Sequence, residues 1–241
     1  MSERARATAH EAPPLGIGYY TVSEAARLIR MPPRNITRWL GGYTFKAGGK
    51  TNGKPGKMPP LWAPELPAND DRLELGFRDL IELRFVHAFT ERGVDLRVIR
   101  SCLERARECV RDPRPFSTRQ FRTDGRTIYL ESLRASGETE LLDLKREQYV
   151  IKAVIEATFK DLDLENDVVA RWRPFHGKET IVIDPQRSFG QPITTDFGVP
   201  TVALADAVKA EGSVERVALL YEVSAQAVRD AVRFEEYLRA A

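Results

Sequence analysis

The chain has 241 residues, 42% apolar and 30% charged, with a formal net charge of +2. That length suits two or three small units, and that balance excludes a disordered chain. Apolar runs are only a few residues long, which excludes a membrane-spanning helix and points to a cytoplasmic protein.

Residues 1–18 read as a flexible tail: Arg4 and Arg6 have no apolar run behind them, so no secretory leader is expected. The charge is unevenly placed. Residues 1–69 hold 10 Lys/Arg against 4 Asp/Glu, residues 70–130 hold 13 against 11, and residues 131–241 hold 14 against 20. A positive field at the N-terminal end predicts an anionic partner there.

Residues 21–40 read as a helix-turn-helix. Thr21 or Ser23 caps a first helix, Glu24 follows, and Val22, Ala25, Ala26, Leu28 and Ile29 share its inner face. Met31-Pro32-Pro33 breaks it, and proline suits the first turn of the next helix. In Arg34 to Leu40, Ile36, Trp39 and Leu40 point inward. Arg34, Asn35, Thr37 and Arg38 stay outside and, with Ser23, suit phosphate contacts and base-edge reading. Two short helices with a tight turn also occur in proteins that never touch DNA, so the next segment matters. Gly41 to Pro60 holds six glycines with Lys46, Lys50, Lys54 and Lys57 and no acidic residue. Such a basic loop reads as the wing of a winged helix lying along the phosphate backbone.

Leu75 to Val86 predicts a strongly amphipathic helix, Gly93 ends it, and Val94 begins another running to about Val110. Cys102 and Cys109 fall on that second helix, roughly 10 Å apart along its axis, too far to bond to each other. Reduced thiols are expected, as in the cytoplasm. The order Tyr20-Thr21-Val22-Ser23-Glu24-Ala25-Ala26, Arg38-Trp39, glycine-rich wing, Asp79-Leu80-Ile81-Glu82-Leu83-Arg84-Phe85, Gly93-Val94 and Ile99-Arg100 resembles the DNA-binding domain of MerR-type regulators over about residues 19–111. This chain departs from that pattern in the long loop between Tyr43 and Trp62. It also has no long coiled-coil helix afterwards.

Asp112-Pro113-Arg114-Pro115 is a break opening a central α+β module, residues 112–179. Phe116 to Arg122 and Arg126 to Glu131 are predicted as two strands around an Asp124-Gly125 turn. Leu141 to Leu144 is a candidate third strand, and Gln148 to Lys160 a helix. Val168 to Trp172 and Thr180 to Ile183 read as another strand pair. Asp161, Asp163 and Asp167 lack the glycine turn and later glutamate of a calcium loop, so they are expected to be solvated and no metal is predicted. His10, His87 and His176 have no nucleophile at a recognisable spacing, and there is no phosphate loop. Neither an enzyme nor a cofactor is expected.

A second helix-turn-helix is predicted at the C-terminus. Ser213 caps Val214 to Tyr221, Glu222-Val223-Ser224 turns, and Ala225 to Leu238 forms the second helix. A shift of 192 positions aligns Ala26 with Ala218, Leu28 with Leu220, Met31 with Val223 and Ile36 with Val228. Its outer face offers Gln226, Arg229 and Arg233 to DNA, but also Asp230, Glu235 and Glu236, so DNA and protein stay open as its partner.

Ile181-Val182-Ile183-Asp184-Pro185, Phe189-Gly190-Gln191-Pro192-Ile193 and Val199-Pro200-Thr201-Val202-Ala203, followed by that unit, are similar to VapB-like type II antitoxins over about residues 180–238, within an antitoxin-like domain read as 180–241. Phe197-Gly198-Val199-Pro200 is a modest departure from that pattern. The resemblance implies a PIN-like ribonuclease toxin as partner and repression of the protein's own operator. From charge alone, Arg171, Arg173 and Arg187 are candidates for occluding the toxin's acidic metal site. Helix-turn-helix proteins usually bind two half-sites of double-stranded DNA as dimers, which here could come from two heads in one chain or from two chains; a homodimer is the expectation. The fold class is α+β, mainly helical. The alternative is a MerR-like regulator whose central module senses a small molecule, for which a cavity near Phe116–Phe159 would speak.

Overall fold

The computed structural model describes residues 16–46, 55–67, 72–135 and 144–240. It is α+β and mainly helical, with small antiparallel sheets. Strand β1 (Tyr20–Thr21) leads into α1 (Val22–Ile29), α2 (Pro33–Gly41) and the hairpin β2 (Tyr43–Lys46) and β3 (Pro55–Met58). Strand β4 (Glu74–Leu75) pairs back with β1, and α3 (Phe77–Glu91) and α4 (Leu96–Val110) follow. Then come α5 (Arg119–Ala135) and α6 (Leu144–Phe159), and the antiparallel meander β5 (Leu162–Glu165), β6 (Val168–Trp172), β7 (Ile181–Ile183), β8 (Pro192–Thr194). The helices α7 (Thr201–Glu211), α8 (Val214–Leu220) and α9 (Ala225–Arg239) close the chain. No helix among the described residues is long and apolar enough to cross a membrane.

Local chemistry accounts for the element ends. Thr21 Oγ1 accepts the Glu24 N–H at 3.2 Å and the Glu24 carboxylate accepts the Thr21 N–H at 2.8 Å, a reciprocal cap on α1. Asp95, Ser213 and Ser224 each accept a backbone N–H at the start of α4, α8 and α9.

Helix α3 is the centre of the molecule. The sequence predicts an amphipathic helix, but Phe77, Asp79, Leu80, Ile81, Glu82, Leu83, Phe85, Val86 and Phe89 are all buried. A helix covered on most sides is a core element rather than a surface one. Its two buried carboxylates, Asp79 and Glu82, are partnered. Asp79 accepts from Trp62, Glu65, Gly76 and Arg114 and so holds the N-terminal segments together. Glu82 accepts the N–H groups of Ser117 at 2.8 Å and Phe116 at 3.3 Å. Burial pushes the Glu82 carboxyl up to about 8. The folded chain therefore binds a proton that the unfolded chain releases above the ordinary glutamate range. Stability then falls as pH rises toward 8, by on the order of 3 kcal/mol. Glu65 is shifted upward too by burial, so Glu82→Gln should reduce that slope in thermal melts without removing it. A slope identical to wild type would contradict this.

The segment 116–131 departs from expectation. Residues 119–135 form α5 rather than two strands, with Phe121, Gly125, Ile128, Tyr129, Ser132 and Leu133 buried. Those positions recur at helical spacing, which outweighs the short local alternation. Thr118 caps the helix by accepting the Phe121 N–H at 3.2 Å. Gly125 is not a turn residue: a Cβ there would lie 3.0 Å from both Ile155 and Phe121, so glycine allows α6 to pack closely on α5. Of the candidate third strand, residues 141–143 lie outside the described residues, and Leu144 opens α6. The region Phe116–Phe159 is occupied by packed rings, with Phe116 and Phe121 4.5 Å apart and Phe85 and Phe159 5.0 Å apart between centroids.

Of the three aspartates, Asp167 is exposed as expected, whereas Asp161 and Asp163 are half-buried and paired. Asp161 receives a forked pair from Arg84 at 2.6 and 2.8 Å and the Trp172 indole N–H at 3.1 Å. Asp163 pairs with Arg173 at 2.9 Å, and Asp167 with Arg119 at 2.7 Å.

One hydrophobic cluster runs from Tyr20 to Leu238, and a smaller one joins Leu204, Val217, Val223, Val228 and Ala231. Two contacts tie the ends of the chain together. Tyr20 donates its hydroxyl to the Gly190 carbonyl at 2.7 Å, and Tyr19 N–H donates to the Phe189 carbonyl at 2.9 Å. Beside them α1 docks on α9: the Arg27 guanidinium lies 3.8 Å from the buried Glu235 carboxylate, and that of Arg30 covers the Tyr237 ring at 4.3 Å.

Candidate nucleic-acid interface

Helix α2 presents the predicted reading face. Pro33 opens it, and Ile36, Trp39 and Leu40 anchor its inner side in the core. With those three buried, Arg34, Thr37 and Arg38 are exposed and Asn35 half-buried, and Ser23 is exposed in the first turn of α1. The chain reverses between α1 and α2 through Arg30 in the left-handed region at φ 64°, while Met31 N–H donates to the Ala26 carbonyl at 2.9 Å. This turn sets the angle at which α2 emerges.

The basic hairpin follows directly. Its register pairs Tyr43 with Met58, Thr44 with Lys57 and Lys46 with Pro55. Lys57 is exposed, Lys46 closes β2, and Lys50 and Lys54 lie outside the described residues. The Arg38 guanidinium stacks on the Tyr43 ring at 3.9 Å, so a predicted contact residue is braced by the hairpin's first residue. Below it runs a groove of about 290 Å³ lined by Arg38, Tyr43, Met58, Leu61, Arg97 and Arg100.

Neither Arg97 nor Arg100 was predicted as a contact residue from sequence, although Arg100 belongs to the MerR-like pattern. Arg97 is exposed at the start of α4, beside Asp95 at 3.4 Å. Arg100 donates at 2.8 Å to the carbonyls of Pro59 and Pro60, pinning the strand that leaves the hairpin. The Arg97–Arg100 spacing, one helical turn, was the available signal.

The second candidate face differs in electrostatics. Gln226, Arg229 and Arg233 are exposed on α9. Gln226 donates to Asp230 at 3.1 Å and Arg229 pairs with Glu215 at 3.3 Å, which offsets part of the basic character. Of the arginines proposed for a toxin, Arg171 and Arg173 share one carboxylate and Arg187 has other partners. Arg171 pairs with Glu165 and with Asp163 at 3.5 Å, and Arg173 shares Asp163 at 2.9 Å. Arg187 lies over Gly198 and donates to the Thr195 carbonyl at 3.3 Å.

The Phe189-Gly190-Gln191-Pro192 motif has a local physical reason. Gly190 sits at φ +79°, and a Cβ there would lie 2.3 Å from the Tyr20 hydroxyl oxygen. Gly190→Ala should therefore cost about 2 kcal/mol or more, from strain and from displacing Tyr20. Thermal melting checks this, and an unchanged midpoint would show that the loop can relax.

No protein-family model matches the chain. A protein of Mycobacterium tuberculosis (strain ATCC 25618 / H37Rv) named "Putative antitoxin VapB45" is 26% identical over 223 residues, covering 88% of this chain and 92% of that protein. The X-ray crystal structure of Rv2018 from Mycobacterium tuberculosis matches with a TM-score of 0.66 and 23% identity, covering 88% of this chain and 96% of that one. The second likeness concerns the fold alone.

Proposed function

We propose that this chain is the antitoxin of a type II toxin–antitoxin pair that binds its operator as a homodimer and neutralises a PIN-like ribonuclease toxin. The observation that carries this reading is the similarity, along nearly the whole chain, to a protein bearing an antitoxin name. The exposed face of α2 beside a basic hairpin supports the DNA half of it. Arg34, Asn35, Thr37 and Arg38 enter a major groove with Ser23 nearby, while Lys57 and the other hairpin lysines lie as a wing along the phosphates. This N-terminal unit is the MerR-like head, and Gln226, Arg229 and Arg233 supply a weaker second contact.

For the toxin half, Arg187 is the most available of the three proposed arginines, since Arg171 and Arg173 already share carboxylates. The role is binding and regulation rather than catalysis. The small-molecule alternative draws no support from the centre of the molecule, where packed rings occupy the expected cavity.

The test is co-expression with the protein encoded by the neighbouring reading frame. A stable complex that suppresses that protein's ribonuclease activity is expected. A neighbour that is not a nuclease, or one that stays active in the presence of this chain, would refute the toxin half.

A further inference from the structure

The two segments related by 192 positions differ in what covers their first helix. In α1, Leu28 and Ile29 are 6% and 8% exposed, and the helix packs against α2, α3, β4 and α9. At the matching positions of the second segment, Leu220 and Tyr221 are 59% and 40% exposed, and neighbouring Leu219 is 80% exposed. Helix α8 packs chiefly against α7 and α9. Arg27, the counterpart of Leu219, reaches across to Glu235. A face that serves as an internal interface in the first unit is therefore bare in the second. A contiguous group of large apolar side chains on a surface marks a binding site.

The charges around the group indicate its occupant. Arg216 lies one helical turn before Leu219, and Glu222 stands in the turn just past the helix, both exposed. Glu215, beside Arg216, is paired with Arg229 at 3.3 Å; apart from that pair, the order along the helix is cation, apolar, anion. Such an order complements itself when a second copy crosses antiparallel about a two-fold axis. Leu219 then meets its own counterpart, and Arg216 meets the counterpart of Glu222, each charge pair formed twice. Arg216 now pairs with Glu211 at 2.9 Å, with side-chain exposures of 68% and 32%. A surface pair of this kind is exchanged at little cost.

We propose that α8 is a self-association surface whose occupant is a second copy of this chain. The proposal depends on the homodimer reading above only for its use on DNA, and its test is performed without DNA. Three apolar side chains per copy fall below the roughly 800 Å² per partner of a standard stable interface, so the dimer dissociates on dilution.

Sedimentation velocity of the full chain from about 1 to 200 µM should show a monomer–dimer equilibrium. Leu219→Glu should weaken it by at least about tenfold with an unchanged thermal melt, because Leu219 contributes little to the core. Arg216→Glu and Glu222→Arg should each weaken it as well. Mixing those two variants should restore association, because the mixed pair has opposite charges at both contacts. Three outcomes overturn the proposal: a wild-type chain that stays monomeric, as when another molecule covers the face; association that survives Leu219→Glu; and a mixture no better than either variant alone. Failure to bind operator with association intact would count against the DNA reading and leave this one standing.

Discussion

Asp79→Ala is expected to remove about 3–5 kcal/mol of folding free energy, much of what a domain of this kind possesses. The Asp79 side chain is fully buried at the start of α3 and accepts from four directions. It receives the Gly76 N–H at 3.1 Å, the Glu65 N–H at 2.7 Å, the Trp62 indole N–H at 2.9 Å and Arg114 Nε at 2.7 Å. Arg114 is itself buried and also donates to the Ala63 carbonyl at 2.7 Å. Removing the carboxylate leaves an unpaired guanidinium and three donors without an acceptor. The cost comes from stranding them, more than from any net strength of the pair. Asp79→Asn, which keeps one carbonyl oxygen, should lose less. Arg114→Ala should cost less in the Asp79→Ala background than in wild type, since its partner is already gone. Urea unfolding followed by circular dichroism measures each value. A loss below about 1 kcal/mol for Asp79→Ala would mean that water replaces the carboxylate, and the hub would not be a hub.

Arg34→Ala combined with Arg38→Ala should weaken operator binding by at least about 100-fold, because each bidentate contact is worth about 1–3 kcal/mol. Both side chains are exposed, so the fold should be unaffected beyond loss of the Arg38–Tyr43 stack. Lys57→Ala should instead weaken binding to operator and unrelated DNA alike, and lower the salt slope by about one. Fluorescence anisotropy against the upstream DNA at several salt concentrations separates the two effects. Undiminished binding by the double variant would place the reading face elsewhere on the molecule.

The helix pairs α1–α2 and α8–α9 were legible because their signals are local. A capping threonine or serine, apolar spacing and a proline or glutamate turn are all written within twenty residues. The strands Val168–Trp172 and Ile181–Ile183 were legible through their β-branched content. Three things were not. Helix α5 was read as a hairpin because Asp124-Gly125 is a turn signal, whereas Gly125 serves close packing against a helix thirty positions away. The burial of α3 on most of its faces depends on which elements surround it, which periodicity does not report. The hairpin β5–β6 turns through Asn166 and Asp167, both at positive φ (48° and 67°), and that pair was the missed signal. For the candidate interface, residue types on α2 were readable, but the stacking of Arg38 on Tyr43 and the bracing by Arg100 depend on long-range contacts.

The docking of α1 on α9 also bears on how the protein is made. A chain leaving the ribosome exposes α1 and α2 first, yet Arg27 finds Glu235, and Arg30 finds Tyr237, only after more than 200 further residues have emerged. Tyr20 likewise waits for Gly190. Domains fold in the order they are synthesised, and contacts between distant segments form last. The first unit is thus born early but completed late. A polypeptide stopped before α9 would carry every residue of α1 and α2 without the contacts that Arg27 and Arg30 make there. Full docking of α1 should therefore await the synthesis of α9.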